Sequence, residues 1–146
     1  MTAAQNAPLR FGALIRVSTE RQEDKKRESL RVQKSHIENA VKSIGGKIVE
    51  WYGGQEHATP GFEKKEIDRL LADAQKGRFD AFMCSDPDRW SRDNDKSKQG
   101  LGVFIDHGIR FFVRDAEQDL YDPNIIMYLG VSAVIGEYFA ANQKRK

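Results

Sequence analysis

Arg16-Val17-Ser18-Thr19 stands where the apolar run Phe11-Gly12-Ala13-Leu14-Ile15 gives way to charged residues, and it sets a hydroxyl beside a guanidinium. A serine is a poor nucleophile at its free pKa, whereas an arginine two residues away stays cationic and can neutralise an anionic centre under attack. The pair suits chemistry at phosphate. By itself Arg-x-Ser is common, and a serine that follows a strand is more often a helix N-cap or a turn residue. What else reaches Ser18 therefore decides its meaning.

A second cluster, Asp88-Arg89-Trp90-Ser91-Arg92, places two guanidiniums three residues apart. At the start of a helix both would share a face and could straddle a phosphate. With Arg16, three fixed cations could surround one phosphodiester and neutralise its non-bridging oxygens as charge shifts. Asp88 would then orient an arginine rather than bind magnesium. The competing reading is an exposed, salt-bridged loop, and closeness to Arg16 is what separates the two. A third candidate, His57, lies in the polar loop Gly53-Gly54-Gln55-Glu56-His57-Ala58-Thr59-Pro60-Gly61. An imidazole with an ordinary pKa near ~6.5 suits proton donation to a leaving oxygen, while the simpler reading is a surface-loop histidine. His36 and His107 fall in helical segments away from these motifs and have no second ligand at metal spacing, so no metal is expected.

The elements that must position these residues follow from periodicity. Four short β-like runs, Leu9 to Ile15, Lys47 to Tyr52, Phe79 to Cys84 and Ile109 to Val113, alternate with helix-like segments. That order predicts an α/β fold built from βαβ units on a mostly parallel sheet. Leu30, Gln33, Ile37, Val41 and Ile44 recur at helical spacing and Gly45-Gly46 closes the segment, predicting a helix from about Ser29 to Ile44. Phe62, Ile67, Leu70, Leu71 and Ala74 mark a second helix stopped at Gly77; Leu101, Val103, Phe104 and Ile105 mark a third stopped at Gly108. In parallel sheets, sites form outside the carboxyl ends of strands. The loops after strands one, two and three should thus share an edge with Ser18.

From Pro123 onward, Ile125, Ile126, Tyr128, Leu129, Val131, Val134, Ile135, Tyr138 and Phe139 carry more apolar surface than one helix face can bury on a small domain. Asp122 can cap this helix with Pro123 at its first position. Such a stripe fits a helix shared with a partner subunit or one buried wholly in its own domain. The polar end Asn142-Gln143-Lys144-Arg145-Lys146 interrupts a pattern that is still helical, which predicts a fragment of a longer protein.

Length and composition frame these readings. The chain of 146 residues suits one domain, here 1–146, with a flexible N-terminus over about 1–8. No apolar run approaches a bilayer span and the first residues lack the features of a secretory signal, so a cytoplasmic protein without a membrane partner is expected. Cys84 is the single cysteine, which excludes an intrachain disulfide; in its apolar run it reads as a small buried residue. A net charge of +2 does not by itself announce a nucleic-acid binder. The basic residues gather instead at Arg21, Lys25, Lys26 and Arg27, at Arg89 and Arg92, and at the C-terminus.

Ile15-Arg16-Val17-Ser18-Thr19, then Gln22, then Ser29-Leu30-x-x-Gln33, then Asp88-Arg89-Trp90-Ser91-Arg92 resemble, in that order, the catalytic domain of the serine site-specific recombinases. This is the resolvase and invertase group, which includes the large serine integrases, and the resemblance runs from about Leu9 into the last helix. It implies a three-layer resolvase-like domain: a central, mostly parallel sheet of four or five strands flanked by helices, with a long C-terminal helix. By the resemblance Ser18 is the nucleophile that forms a 5′-phosphoserine bond with double-stranded DNA, and Arg16, Arg89 and Arg92 hold the scissile phosphate. Gln33 and Asp88 match positions that support the site. The implied reaction cleaves and rejoins DNA without ATP, metal or other cofactor, in a homotetramer assembled from two homodimers. The segment from about 123 to 146 becomes the dimerisation helix, leading to a DNA-binding region that this sequence lacks.

Two departures stand out. Leu14 occupies a position where many relatives carry a tyrosine, and Gly54-Gln55-Glu56-His57-Ala58-Thr59 replaces a small-residue Gly-x-Ser-Gly pattern. No serine is carried over from that loop. An alternative is a recombinase-derived DNA-binding or assembly protein without strand cleavage, whose mark would be loss of Ser18 or of an arginine; none is lost. A nucleotide-binding or phosphatase-like domain would need a Gly-rich phosphate loop or a Cys/Asp nucleophile after strand one, and neither occurs.

Overall fold

The computed structural model describes residues 7–16, 23–54, 61–86, 90 and 94–129. Its elements are β1 (Arg10–Ile15), α1 (Glu23–Ile44), β2 (Lys47–Gly53), α2 (Phe62–Gln75), β3 (Ala81–Cys84), α3 (Asn94–Asp106), β4 (Arg110–Val113) and β5 (Ala116–Gln118). Residues 123–129 begin a further helix, α4. Asp122 caps it as expected, its Oδ1 accepting from Asn124 N–H at 2.9 Å.

The strands form one sheet in the order β2-β1-β3-β4-β5, parallel except for the β4–β5 hairpin. Period-two alternation divides the side chains between two cores. Phe11, Ala13 and Ile15 of β1, with Ala81 and Met83 of β3, meet Leu30, Ile37, Ala40 and Val41 of α1 on one face. Leu14, Phe82, Cys84 and Phe111 face the other way, onto Ile67, Leu70 and Leu71 of α2 and Leu101 and Phe104 of α3. The result is the expected three-layer α/β sandwich. Both faces of the sheet are covered at its centre, which is why β1, β3 and β4 read as near-continuous apolar runs. Cys84 is fully buried, as its neighbours in sequence predict.

Element bounds differ from the expectations in places, as where β3 starts at Ala81 rather than Phe79. α1 starts at Glu23 rather than near Ser29, because its first residues, Glu23 to Glu28, are good helix formers with no apolar member to mark the period. α3 starts at Asn94, ahead of its first apolar residue, Leu101, so its first turns also carry no apolar member to mark the period. β5, Ala-Glu-Gln, carries no alternation at all; pairing with β4 makes it a strand. No helix of the described residues is long and apolar enough to cross a membrane. In α4, Leu129 is buried and Ile125 and Ile126 pack against the core, while Met127 and Tyr128 are exposed.

The connections between strands locate the ligand-binding edge of the sheet. From β1 the chain passes through α1 to β2 on one side, then returns through α2 to β3 on the other. The strand order therefore reverses at β1, and in open parallel sheets the crevice outside the carboxyl ends at such a switch point is where ligands bind.

Candidate active site

Two of the sequence motifs leave the sheet side by side at that switch point. Ala13 of β1 pairs with Met83 of β3, so the chain exits β1 at Arg16 and β3 at Ser85 and Asp86 on adjacent strands, which lie about 4.8 Å apart. The first exit leads to Ser18 and the second to Asp88, Arg89 and Arg92. The exit of β2 at Gly53, on the other side of β1, leads to His57. Ser18, His57, Asp88, Arg89 and Arg92 themselves lie outside the described residues, as do residues 130–146 of the expected dimerisation helix. Of the candidate residues, Arg16 and Gln33 are described, and they meet.

Gln33 is buried on the inner face of α1 and turns its amide onto the main chain of Arg16. Its Oε1 accepts from Arg16 N–H at 3.1 Å and its Nε2 donates to Arg16 O at 2.6 Å. Arg16 is 4% exposed and Gln33 3%. An amide can do this because it carries a donor and an acceptor on one planar group, matching the peptide on both sides of a residue. β1 has ended here, and Gln33 supplies the pairing that a neighbouring strand would otherwise give. The resemblance assigns Gln33 a supporting position; the geometry makes it a main-chain clamp two residues before Ser18.

The exit of β2 is held by a different device. Gly53 N–H donates to Glu66 Oε1 of α2 at 2.8 Å, and Arg69 Nη2 donates to Trp51 O at 2.9 Å. Glu66 and Arg69 pair with each other at 2.8 Å, so the two side chains cap the open edge of β2 as a unit. That partnership, with burial opposing it, holds the Glu66 carboxyl below the usual range and raises the Arg69 guanidinium. Arg69 also lies over the Tyr52 ring at 4.3 Å. Burial and a 2.7 Å bond to Asp73 push the Tyr52 hydroxyl well up, so it stays protonated. Gly53 has φ +78°, and a Cβ there would overlap Ile15 O. Glycine is what lets β2 turn away from the end of β1 at this distance.

Trp90, between the two arginines in sequence, is held in the core. Its ring is 1% exposed and lies 5.2 to 5.5 Å from Phe82, Phe104 and Phe111, while its carbonyl accepts from Ser97 Oγ at 2.7 Å. Gly100 of α3 makes room for it, since a Cβ at that position would overlap the indole edge. Trp90 is visible in the sequence only as the middle of Asp88-Arg89-Trp90-Ser91-Arg92. Its large apolar ring between charged residues is the signal that this position is buried. Arg114, which no motif marks, reaches the same exit: its N–H donates to Cys84 O and its Nε to Ser85 O, each at 2.9 Å.

Comparison with known proteins bears on the fold and the family. Residues 12–146 match the family described as resolvase, N-terminal domain. A Bacillus subtilis (strain 168) protein named "Putative DNA recombinase" is 37% identical over 78 residues, 53% of this chain and 15% of that protein. The match thus spans a small part of that relative. Among solved structures, a resolvase family site-specific recombinase from Streptococcus pneumoniae superposes with a TM-score of 0.69 at 20% identity, covering 94% of this chain and 93% of the other. The N-terminal catalytic domain of TP901-1 integrase gives 0.62 at 19% identity, covering 92% of this chain and 98% of that one. These two likenesses speak to the fold. With the family match across nearly the whole sequence, the chain belongs to the resolvase N-terminal domain family.

Proposed function

We propose that this chain is the catalytic domain of a site-specific DNA recombinase in which Ser18 cleaves and rejoins double-stranded DNA. The observation that carries the reading is the pair of neighbouring exits at the switch point, one leading to Ser18 behind the buried, main-chain-clamped Arg16 and the other to Asp88, Arg89 and Arg92. Ser18 Oγ attacks the scissile phosphorus, the bond to the 3′ oxygen breaks, and a 5′-phosphoserine ester and a free 3′ hydroxyl result. The serine loses its proton in this step and the leaving 3′ oxygen gains one. His57 is a candidate to deliver it. Arg16, Arg89 and Arg92 neutralise the non-bridging oxygens in the transition state, with Asp88 orienting an arginine and Gln33 fixing the strand end.

One phosphate ester replaces another, so bond energy is retained and a 3′ hydroxyl from a second strand can reverse the attack. Neither ATP nor a metal is required by that balance. Two bound homodimers forming a homotetramer would place the strands to be exchanged together, and the exposed Tyr121, Met127 and Tyr128 around the start of α4 supply apolar surface for subunit contact.

The test is to incubate the full-length protein with sheared genomic DNA from the organism that encodes it, denature, digest with nuclease and identify the modified peptide by mass spectrometry. A nucleotide ester on Ser18, lost in Ser18→Ala with the melting temperature unchanged, is the expected result. A full yield of adduct in Ser18→Ala would overturn the assignment.

A further inference from the structure

We infer that Arg114 is a positioning residue for the recombinase reaction proposed above, acting from the β4–β5 hairpin on the end of β3 and hence on the segment that carries Asp88, Arg89 and Arg92. Val113 pairs with Ala116, which leaves Arg114 and Asp115 as a two-residue turn. Such turns need positive φ at their first position and are normally supplied with glycine or asparagine. Arg114 has φ 53°, the only positive φ at a non-glycine residue among the described residues. A β-carbon is strained there, and glycine would form the same turn at lower cost. The arginine must therefore contribute something that the turn itself does not need.

What it contributes is a pair of donors aimed at successive carbonyls. Its main-chain N–H reaches Cys84 O and its Nε reaches Ser85 O, both at 2.9 Å. Cys84 ends β3 and Ser85 is 3% exposed, so the two carbonyls sit at the point where the strand ends and the chain runs on towards the two arginines. The main-chain bond would survive any substitution; the Nε bond depends on the side chain. Arg114 itself is exposed, and no ion pair engages it among the described residues, so neither core packing nor a structural salt bridge accounts for it. Strain kept at one residue, with its side chain spent on the backbone that leads into a candidate active site, is the pattern of a positioning device.

Two substitutions separate this role from others. Arg114→Gly keeps the turn and removes the side-chain donor. Arg114→Gln places an amide nitrogen the same number of bonds from Cα as Nε, restoring a donor without the charge. With the sheared genomic DNA used for Ser18, Arg114→Gly should form adduct at least about tenfold more slowly, a loss of about 1.4 kcal/mol in transition-state stabilisation. DNA retained on a filter should be unchanged and the melting temperature unchanged or higher. Arg114→Gln should recover to within about threefold of the parent. Hydrogen exchange of the 85–90 segment should quicken in Arg114→Gly and return towards the parent rate in Arg114→Gln.

Parent-like adduct formation and exchange in Arg114→Gly would overturn the inference. So would an Arg114→Gln variant as slow as Arg114→Gly with weakened, salt-dependent DNA retention, which would make Arg114 a phosphate contact instead. If the parent forms no adduct on Ser18, the recombinase reading fails, while the exchange measurement still decides whether Arg114 holds the end of β3.

Discussion

β1 carries an arginine at each end, and the protein holds the two in opposite ways. At the start of the strand the Arg10 guanidinium is spent on structure: Nη2 and Nε pair with the two oxygens of Asp80 at 2.9 and 3.0 Å, and the remaining donors reach the carbonyls of Gly77 and Arg78. Its side chain remains 40% exposed. At the far end Arg16 is almost fully buried, and Gln33 grips its main chain, taking none of the guanidinium's donors. One end is tied with charge and the other with a neutral amide. Fixing a cation by its backbone holds the strand end independently of what the guanidinium engages, an arrangement that suits the proposed phosphate chemistry.

The sharpest test of this contrast is steric. Gly53 and Gly77 both have positive φ, +78° and +72°, but a Cβ at 53 would overlap Ile15 O whereas a Cβ at 77 meets nothing within 4 Å. Gly77→Ala should cost about 1 kcal/mol, the left-handed backbone penalty alone. Gly53→Ala adds a clash with backbone that cannot rotate away and should cost about 3 kcal/mol or more, with slower adduct formation as β1 is pushed from its place. Urea denaturation of the two variants gives the difference directly. Equal losses would mean that the exits of β1 and β2 are not tightly assembled.

Next in size is the clamp. Gln33→Leu keeps the volume in the core but leaves Arg16 N–H and C=O buried without the amide, which should cost about 2 kcal/mol. Gln33→Glu retains the acceptor for Arg16 N–H and sets a carboxylate oxygen against Arg16 O, so it should not rescue. Both should slow adduct formation at least about tenfold when measured well below the melting temperature, as expected where a small misplacement of reacting groups costs rate. Arg10→Ala, at the other end of the same strand, should leave the rate within about twofold of the parent. Parallel loss of rate at both ends would dissolve the distinction between them.

How far these contacts can be read from sequence depends on whether they leave a periodic trace. β1, β3 and β4 are legible because strands buried on both faces must be apolar throughout, and α2 because Phe62, Ile67, Leu70, Leu71 and Ala74 mark its inner face. The first turns of α1 and the polar edge strand β5 carry no such trace. The proposed site is legible as residue types: Arg16, Ser18, Gln33 and the Asp88–Arg92 cluster are identifiable as a set of candidates. Gln33 can be placed on the inner face of its helix, but not assigned to the Arg16 main chain, since that bond joins residues 17 apart in sequence. Glu66 reads as an ordinary helix acid and Arg114 as a charged turn residue. Their roles arise only when the crossovers bring α2 and the β4–β5 hairpin to the strand ends, and backbone carbonyls have no letter in a sequence.

The smallest effect belongs to the Arg10–Asp80 pair, and its pH dependence distinguishes it from the Gln33 clamp. The hydrogen bonds from Arg10 hold the Asp80 carboxyl below the usual range, and Asp80 in turn raises the Arg10 guanidinium. A depressed carboxyl pKa contributes stability above its unfolded value, about 3.9, and loses it as pH falls through the lower folded value. With side chains 40% and 43% exposed, solvent screening limits the pair to about 0.5 kcal/mol at neutral pH. Asp80→Asn should therefore be less stable than the parent by about that amount at pH 7, and the gap should narrow as pH drops below about 4, because protonation removes in the parent what the substitution already removed. Gln33 carries no titrating proton in this range, so the deficit of Gln33→Leu should stay nearly constant over the same series. Urea midpoints at pH 7, 4 and 3 for the three proteins measure both trends. A Gln33→Leu deficit that shrank with Asp80→Asn would show that the buried end of β1 is held by charge after all.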